Sequence, residues 1–149
     1  MNQKQSAEKL ANLTFNLLAR CQEKENRLAD EHKLLEAELK CLRLMASEGS
    51  LNNKDIAEIM NLSPSRITRI MDGLVKKGYM IREIDKDDRR NMRIALSKRG
   101  KNLTTRLNNA FIEIHKEILE EIDVSQHEPL LIAMENLHLA IERWLKKPR

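Results

Sequence analysis

The chain has 149 residues, of which 34% are charged and 3% aromatic, and it carries a formal net charge of +4. That length is about one domain's worth, and with so few aromatic rings the core must be built from Leu, Ile and Met. No window approaches the ~18 consecutive apolar residues of a membrane span, and the opening MNQKQSAEKL lacks the apolar run and cleavage pattern of a signal peptide, so a membrane partner is excluded and a cytoplasmic location expected.

Taken in order, residues 6–29 carry Leu10, Leu13, Leu17, Leu18, Cys21 and Leu28 at helical spacing and predict a long helix. Residues 35–47 predict a second, with Leu35, Leu39, Leu42 and Met45 on one face and Gly49 as its stop. Two short helices follow. The first begins at Asn53, read as its N-cap, and carries Ile56, Ala57, Ile59 and Met60. After Asn61 and Leu62, Ser63 caps the next, and Pro64 suits a first turn that needs no backbone donor. That helix runs to about Lys77 with Ile67, Ile70, Met71 and Leu74 inward, and Gly78 closes it.

Two alternating runs, GYMIREID and NMRIAL, then flank a tip of six consecutive charged residues, DKDDRR, and predict a β-hairpin over Tyr79–Leu96. Ser97 caps a long helix reaching about Ile122, with Leu103, Leu107, Phe111, Ile114, Ile118 and Leu119 among its apolar positions. Ser125 and Glu128 have capping-box spacing before a last helix to about Leu145. The three long terminal helices are too apolar to stand alone in water, and a symmetric dimer is the economical way to bury them. The fold class is thus mainly α with a small β-hairpin.

Charge is distributed unevenly. Ser63–Lys101 holds 12 Lys/Arg against 5 Asp/Glu, a net of +7, while the rest of the chain has 15 against 18, a net of −3. Clustered positive charge is the footprint of a polyanion binder. The pair Asn53–Met60 and Ser63–Lys77 has helix-turn-helix proportions, and such a motif offers the start of its second helix to the DNA major groove. The positions left outward there are Ser65, Arg66, Thr68 and Arg69. Arg can bond a guanine edge twice, and hydroxyls bond bases or phosphates. Lys54, at the start of the preceding helix, is placed to contact backbone. The hairpin directly after this helix becomes a wing. Its tip carries Arg89 and Arg90, and a narrow minor groove attracts inserted Arg. Asp88, two residues before Arg90, can orient its guanidinium, leaving Arg89 for phosphate.

The stretch LSPSRITRIMDGLVKKGYMIREIDKDDRRNMRIALSKRGKNL resembles the winged helix-turn-helix of the MarR family of transcription regulators. The resemblance rests on the Leu-Val-Lys-Lys-Gly helix end, the Asp-Arg-Arg wing tip and the Leu-Ser-x-x-Gly opening of the next helix. LLEAELKCLRLMASEGSL resembles the family's preceding helix, with Glu36 where the family often has a capping Thr. The order of elements agrees over nearly the whole chain.

This resemblance implies a homodimer joined through a helical region at 1–34 and 98–149, with 35–97 as the DNA-binding domain. It implies double-stranded DNA as partner, bound at a pseudo-palindromic operator, with Arg69 and its neighbours in the major groove and Arg90, held by Asp88, in the minor groove. It further implies a repressor released by a small aromatic effector in a crevice between the dimer helices and the DNA-binding lobe.

No resident cofactor or metal is expected. The four histidines, His32, His115, His127 and His138, have no i,i+3 or i,i+4 pair. Cys21 and Cys41 fit no disulfide framework. The family's peroxide sensors place their cysteine nearer the start of the first helix, around Asn12 or Leu13 here, so a thiol-based redox sensor is an alternative without that residue. Phe15 and Phe111 sit on helices that could border an effector crevice, and core packing explains both. The other alternative, a winged helix that contacts protein, calls for an apolar or acidic outward face instead of Arg66 and Arg69. No Gly-rich phosphate loop, nucleophile motif or paired acids suggest an enzyme.

Overall fold

The computed structural model describes every residue except 85, 86 and 88–91. It divides into two compact units, Met1–Leu107 and Asn108–Arg149.

In the first unit, α1 (Gln3–Glu31) and α2 (Glu36–Glu48) precede a short strand, β1 (Ser50–Asn52). The helix-turn-helix pair follows as α3 (Asn53–Met60) and α4 (Pro64–Lys76). A hairpin of β2 (Met80–Ile84) and β3 (Met92–Leu96) leads into α5 (Lys98–Glu120), within which the unit boundary falls. The second unit completes α5 and adds a single 3-10 turn, Val124–Gln126, and α6 (His127–Leu145).

The fold is mainly helical with one small antiparallel sheet, as the sequence pattern predicts. The sheet has three strands rather than two, in the order β1-β3-β2. β1 has three residues, below the length at which alternation can be read, and it is held in register Ser50↔Ala95 to Asn52↔Arg93. Arg93 fastens it, donating from Nε to Ser50 Oγ at 3.1 Å and from Nη2 to the Ser50 carbonyl at 2.9 Å. In the hairpin, Met80 faces Leu96 and Ile84 faces Met92. Met80, Ile94 and Leu96 are buried while β2 is exposed from Ile81 to Ile84, the pattern of a sheet packed on one face.

The core of this unit is aliphatic: Leu28, Leu39, Leu42, Met45, Ile56, Ile67, Met71, Leu74, Met80, Ile94, Leu103 and Leu107 are all fully buried. Gly100 is required by packing. A Cβ there would lie 2.0 Å from the Tyr79 carbonyl oxygen, so only a bare backbone lets α5 start against the end of α4. Ser97 completes the join as the predicted cap, accepting from the Gly100 N–H at 3.0 Å and donating to the Gly78 carbonyl at 2.6 Å.

Several boundaries differ from the sequence reading for identifiable reasons. α1 begins at Gln3 rather than residue 6, because Asn2 and Gln5 cap each other reciprocally. α3 is capped by Asn52, which accepts from the Asp55 N–H at 2.8 Å. Asn53, read as the cap, is already helical, and its buried Oδ1 has no partner among the described residues. Two adjacent asparagines leave this choice to the backbone, and β1 holds Asn52 extended. Ser125 and Glu128 do not form a capping box. Asp123 accepts from both the N–H and the hydroxyl of Ser125, at 2.9 and 2.8 Å, and caps the 3-10 turn instead. These bonds hold the Asp123 carboxyl below its ordinary pKa. The α5 end is closed by His127, whose Nε2 donates to the carbonyls of Leu119 and Ile122.

Phe15 is the clearest departure. Read as core, it is 76% exposed, whereas Phe111 is buried. Leu10, Leu13, Leu17 and Leu18 on α1 are also exposed, as are Leu131, Ile132, Met134, Leu139, Ile141 and Trp144 on α6. Helical periodicity shows that these residues share a face. It does not show whether the same chain covers that face. Among the described residues, no helix is long and apolar enough to cross a membrane.

Candidate nucleic-acid interface

The geometry of α3 and α4 follows from how their ends are closed. Asn61, at φ 55°, takes the left-handed conformation after α3. Its N–H bonds the Glu58 carbonyl and the Leu62 N–H bonds the Ala57 carbonyl, the paired bonds of a Schellman motif. Asn tolerates this conformation better than most side chains. One residue later, Ser63 Oγ accepts from the Arg66 N–H at 3.2 Å with Pro64 at the first helical position, so α4 starts at once. Its far end closes by the same motif, with Gly78 at φ 84° and the Tyr79 N–H on the Leu74 carbonyl.

Between these stops, α4 divides cleanly. Ile67, Ile70, Met71 and Leu74 are buried; Ser65, Arg66, Thr68 and Arg69 are all exposed, as is Lys54 on α3. Among the described residues, neither Arg66 nor Arg69 has an acidic partner. Two hydroxyls are already engaged: Thr68 Oγ1 donates to the Pro64 carbonyl at 2.9 Å, and Ser65 Oγ lies 3.3 Å from Ser63 Oγ. Thr68 therefore presents its methyl group and free lone pairs rather than a free proton. The hairpin base is tied to α4 by an ion pair between Arg82 and Asp72. Asp88, Arg89 and Arg90, assigned to the wing tip, lie outside the described residues.

The other end of α4 rests on a group that periodicity did not single out. Glu38 is a buried charged side chain, 2% exposed. It accepts from the Leu35 N–H at 2.8 Å and from Lys77 Nζ at 2.6 Å, and Lys77 also donates to the Lys33 carbonyl at 3.2 Å. Glu38 thus satisfies the Leu35 N–H, one half of a capping box, while Leu35, with no polar side-chain atom, cannot supply the other half. Gly73 admits it: a Cβ there would lie 2.9 Å from Glu38 Oε2.

Cys41 is also fully buried, and its Sγ–H donates to Met60 Sδ at 3.0 Å. Burial, reinforced by the charge of Glu38, pushes the thiol up to about 12. It stays protonated at neutral pH, the wrong state for a nucleophile. Beside these residues, an open groove of about 880 Å³ runs between the start of α2 and the start of α4, with Ala37, Lys40, Met60, Ser65, Arg66 and Arg69 in its lining.

This arrangement of capped helices and hairpin is matched by sequence: residues 34–92 fit the MarR family model. That segment is a MarR family domain. Among curated relatives, the transcriptional regulator SarZ of Staphylococcus epidermidis is 33% identical over 87 residues, 57% of this chain and 56% of SarZ. SarZ of Staphylococcus haemolyticus is 29% identical over 66% of this chain and 64% of its own length. The matches thus span between half and two thirds of these relatives. The fold likeness reaches further than the sequence likeness. A MarR family protein from Bacillus stearothermophilus superposes with a TM-score of 0.83 over 95% of this chain and 99% of its own, at 19% identity. Wild-type MarR of E. coli gives 0.78 over 86% and 95%, at 16% identity. The MarR winged-helix fold is therefore common to chains that share few residues, and here it carries α4 with its cationic outer face.

Proposed function

We propose that this chain is a sequence-specific DNA-binding transcriptional regulator acting as a homodimer on a pseudo-palindromic operator. The observation that carries the reading is the division of α4, aliphatic inward and Arg66, Arg69, Ser65 and Thr68 outward, with both guanidiniums uncompensated by described acids. An exposed guanidinium without an ion-pair partner on a helix of this size is suited to bidentate contact with a guanine edge. Lys54 serves phosphate. Arg90, oriented by Asp88, serves the minor groove and Arg89 the backbone.

Residues 1–34 and 98–149 form the dimerisation region on this reading, and 35–97 the DNA-binding domain. The exposed apolar faces of α1 and α6 support it, because a second copy would remove that surface from water. The groove beside Arg66 and Arg69 is large enough for a small aromatic effector, and a ligand there would relieve repression by disturbing the start of α4. Such a regulator works in the cytoplasm and performs no catalysis.

The test is fluorescence anisotropy with duplex DNA from upstream of the gene, against a scrambled duplex, over a salt series. Specific binding falls steeply with salt, with a slope of about −0.9 per phosphate contacted. Arg69→Ala is expected to relax base preference at one position per half-site while leaving most of that slope. Equal binding of both duplexes at every salt concentration, repeated with duplexes from a genomic-fragment selection, would overturn the reading.

A further inference from the structure

We propose that Met60 is a reversible oxidation site whose sulfoxide captures the arginines that read DNA. The proposal rests on the assignment of Arg66 and Arg69 as base-reading residues. Met60 ends α3, immediately before the left-handed Asn61 that sets the angle to α4. The residue has two different surroundings. Behind it, Sδ accepts from the thiol of Cys41, which is fully buried. In front, Met60 is half-buried and shares the lining of the groove with Arg66 and Arg69. Cys41 is fully buried and does not line the groove, so an oxidant in the groove reaches Met60 before the thiol. Within α3 and α4, Met71 is buried and Met60 is not; elsewhere in the same unit Met45 and Met80 are buried too, and Met92 on β3 is exposed.

The chemistry is a two-electron oxygen transfer from a hydroperoxide. A lone pair on Sδ attacks one peroxide oxygen, the S–O bond forms and the O–O bond breaks. The departing oxygen takes the proton that the transferred oxygen carried and leaves as water or an alcohol. Sulfur is oxidised and the peroxide reduced. The product replaces a weak acceptor with a strong one. Its oxygen can accept from the Cys41 thiol or from Arg66 and Arg69, which line the same groove with five N–H donors each and have no acidic partner among the described residues. A guanidinium bonded to the sulfoxide is drawn into the groove and lost to DNA. Methionine sulfoxide reductase reverses the change.

The experiment treats the full chain with millimolar hydrogen peroxide, maps oxygen addition by peptide mass spectrometry, and follows binding to a duplex recovered by genomic-fragment selection. Binding should weaken roughly ten-fold, the range of one lost bidentate contact, in step with oxygen on the Met60 peptide, and return with reductase. Met60→Leu should bind normally and ignore peroxide. Met60→Gln, which places an amide oxygen at the same point, should bind weakly without peroxide. The proposal is overturned if Met60 stays reduced while exposed Met134 oxidises, if fully oxidised Met60 protein binds as before, or if Met60→Leu loses binding equally. Untreated protein that binds no selected duplex would instead overturn the DNA-reading assignment, and this proposal with it.

Discussion

Lys77→Met tests how the recognition helix is anchored. Glu38 is 2% exposed and takes two hydrogen bonds, one from the Leu35 N–H and one from Lys77 Nζ at 2.6 Å. Removing one partner of a buried ion pair costs about 3–5 kcal/mol, because the remaining charge stays desolvated. Here the loss is smaller. The Lys77 side chain is 38% exposed, so water can approach Glu38 once the ammonium is gone, and the Leu35 N–H still donates. We expect about 2–3 kcal/mol. With a urea m-value of about 2 kcal/mol/M, that lowers the unfolding midpoint by roughly 1 M. Variants are compared at one protein concentration, since self-association shifts apparent stability. Adding Glu38→Met removes the stranded charge and should regain roughly half the loss. A Lys77→Met midpoint within about 0.2 M of wild type would refute the argument, because a 2–3 kcal/mol loss cannot be that small at this m-value.

Two further outcomes follow from named contacts. Asn52→Ala should cost about 1 kcal/mol through loss of the α3 cap, while Asn53→Ala should be near neutral, because its Oδ1 has no partner among the described residues; thermal melts of both variants decide it, and a larger loss at Asn53 would reverse the assignment. Cys41, raised to about 12 by burial, keeps its proton in the folded state over a range where the unfolded thiol has lost its own. Its contribution to stability is complete below about pH 9 and declines above it by about 1.4 kcal/mol per pH unit. The stability difference between wild type and Cys41→Ala should therefore shrink from pH 9 to 11, and a constant difference would exclude this linkage.

Much of the α4 face was legible in the sequence because it depends on local rules. A Ser-Pro start, a Gly stop and four aliphatics at helical spacing place Ser65, Arg66, Thr68 and Arg69 outward, and the structure keeps all four exposed. The Leu-Ser-x-x-Gly opening of α5 was legible for the same reason, since Ser97 caps within three residues. Glu38 was not, because a glutamate among helical residues looks like any solvated acid until Lys77, 39 positions away, closes over it.

Sequence alone thus determined the order of helices, the hairpin and the sign of charge on α4, all consequences of short-range periodicity, capping and composition. Only the tertiary structure decided what lies between elements distant in the chain: the third strand at Ser50–Asn52, the bare backbone at Gly100 against Tyr79, the burial of Glu38, and the sulfur contact between Cys41 and Met60. It also decided that Phe15 is exposed on the single chain. The physical reason is that hydrogen bonds within a turn select residue types at fixed spacing, whereas packing between elements needs only matching volume and partnered charge, which many sequences satisfy.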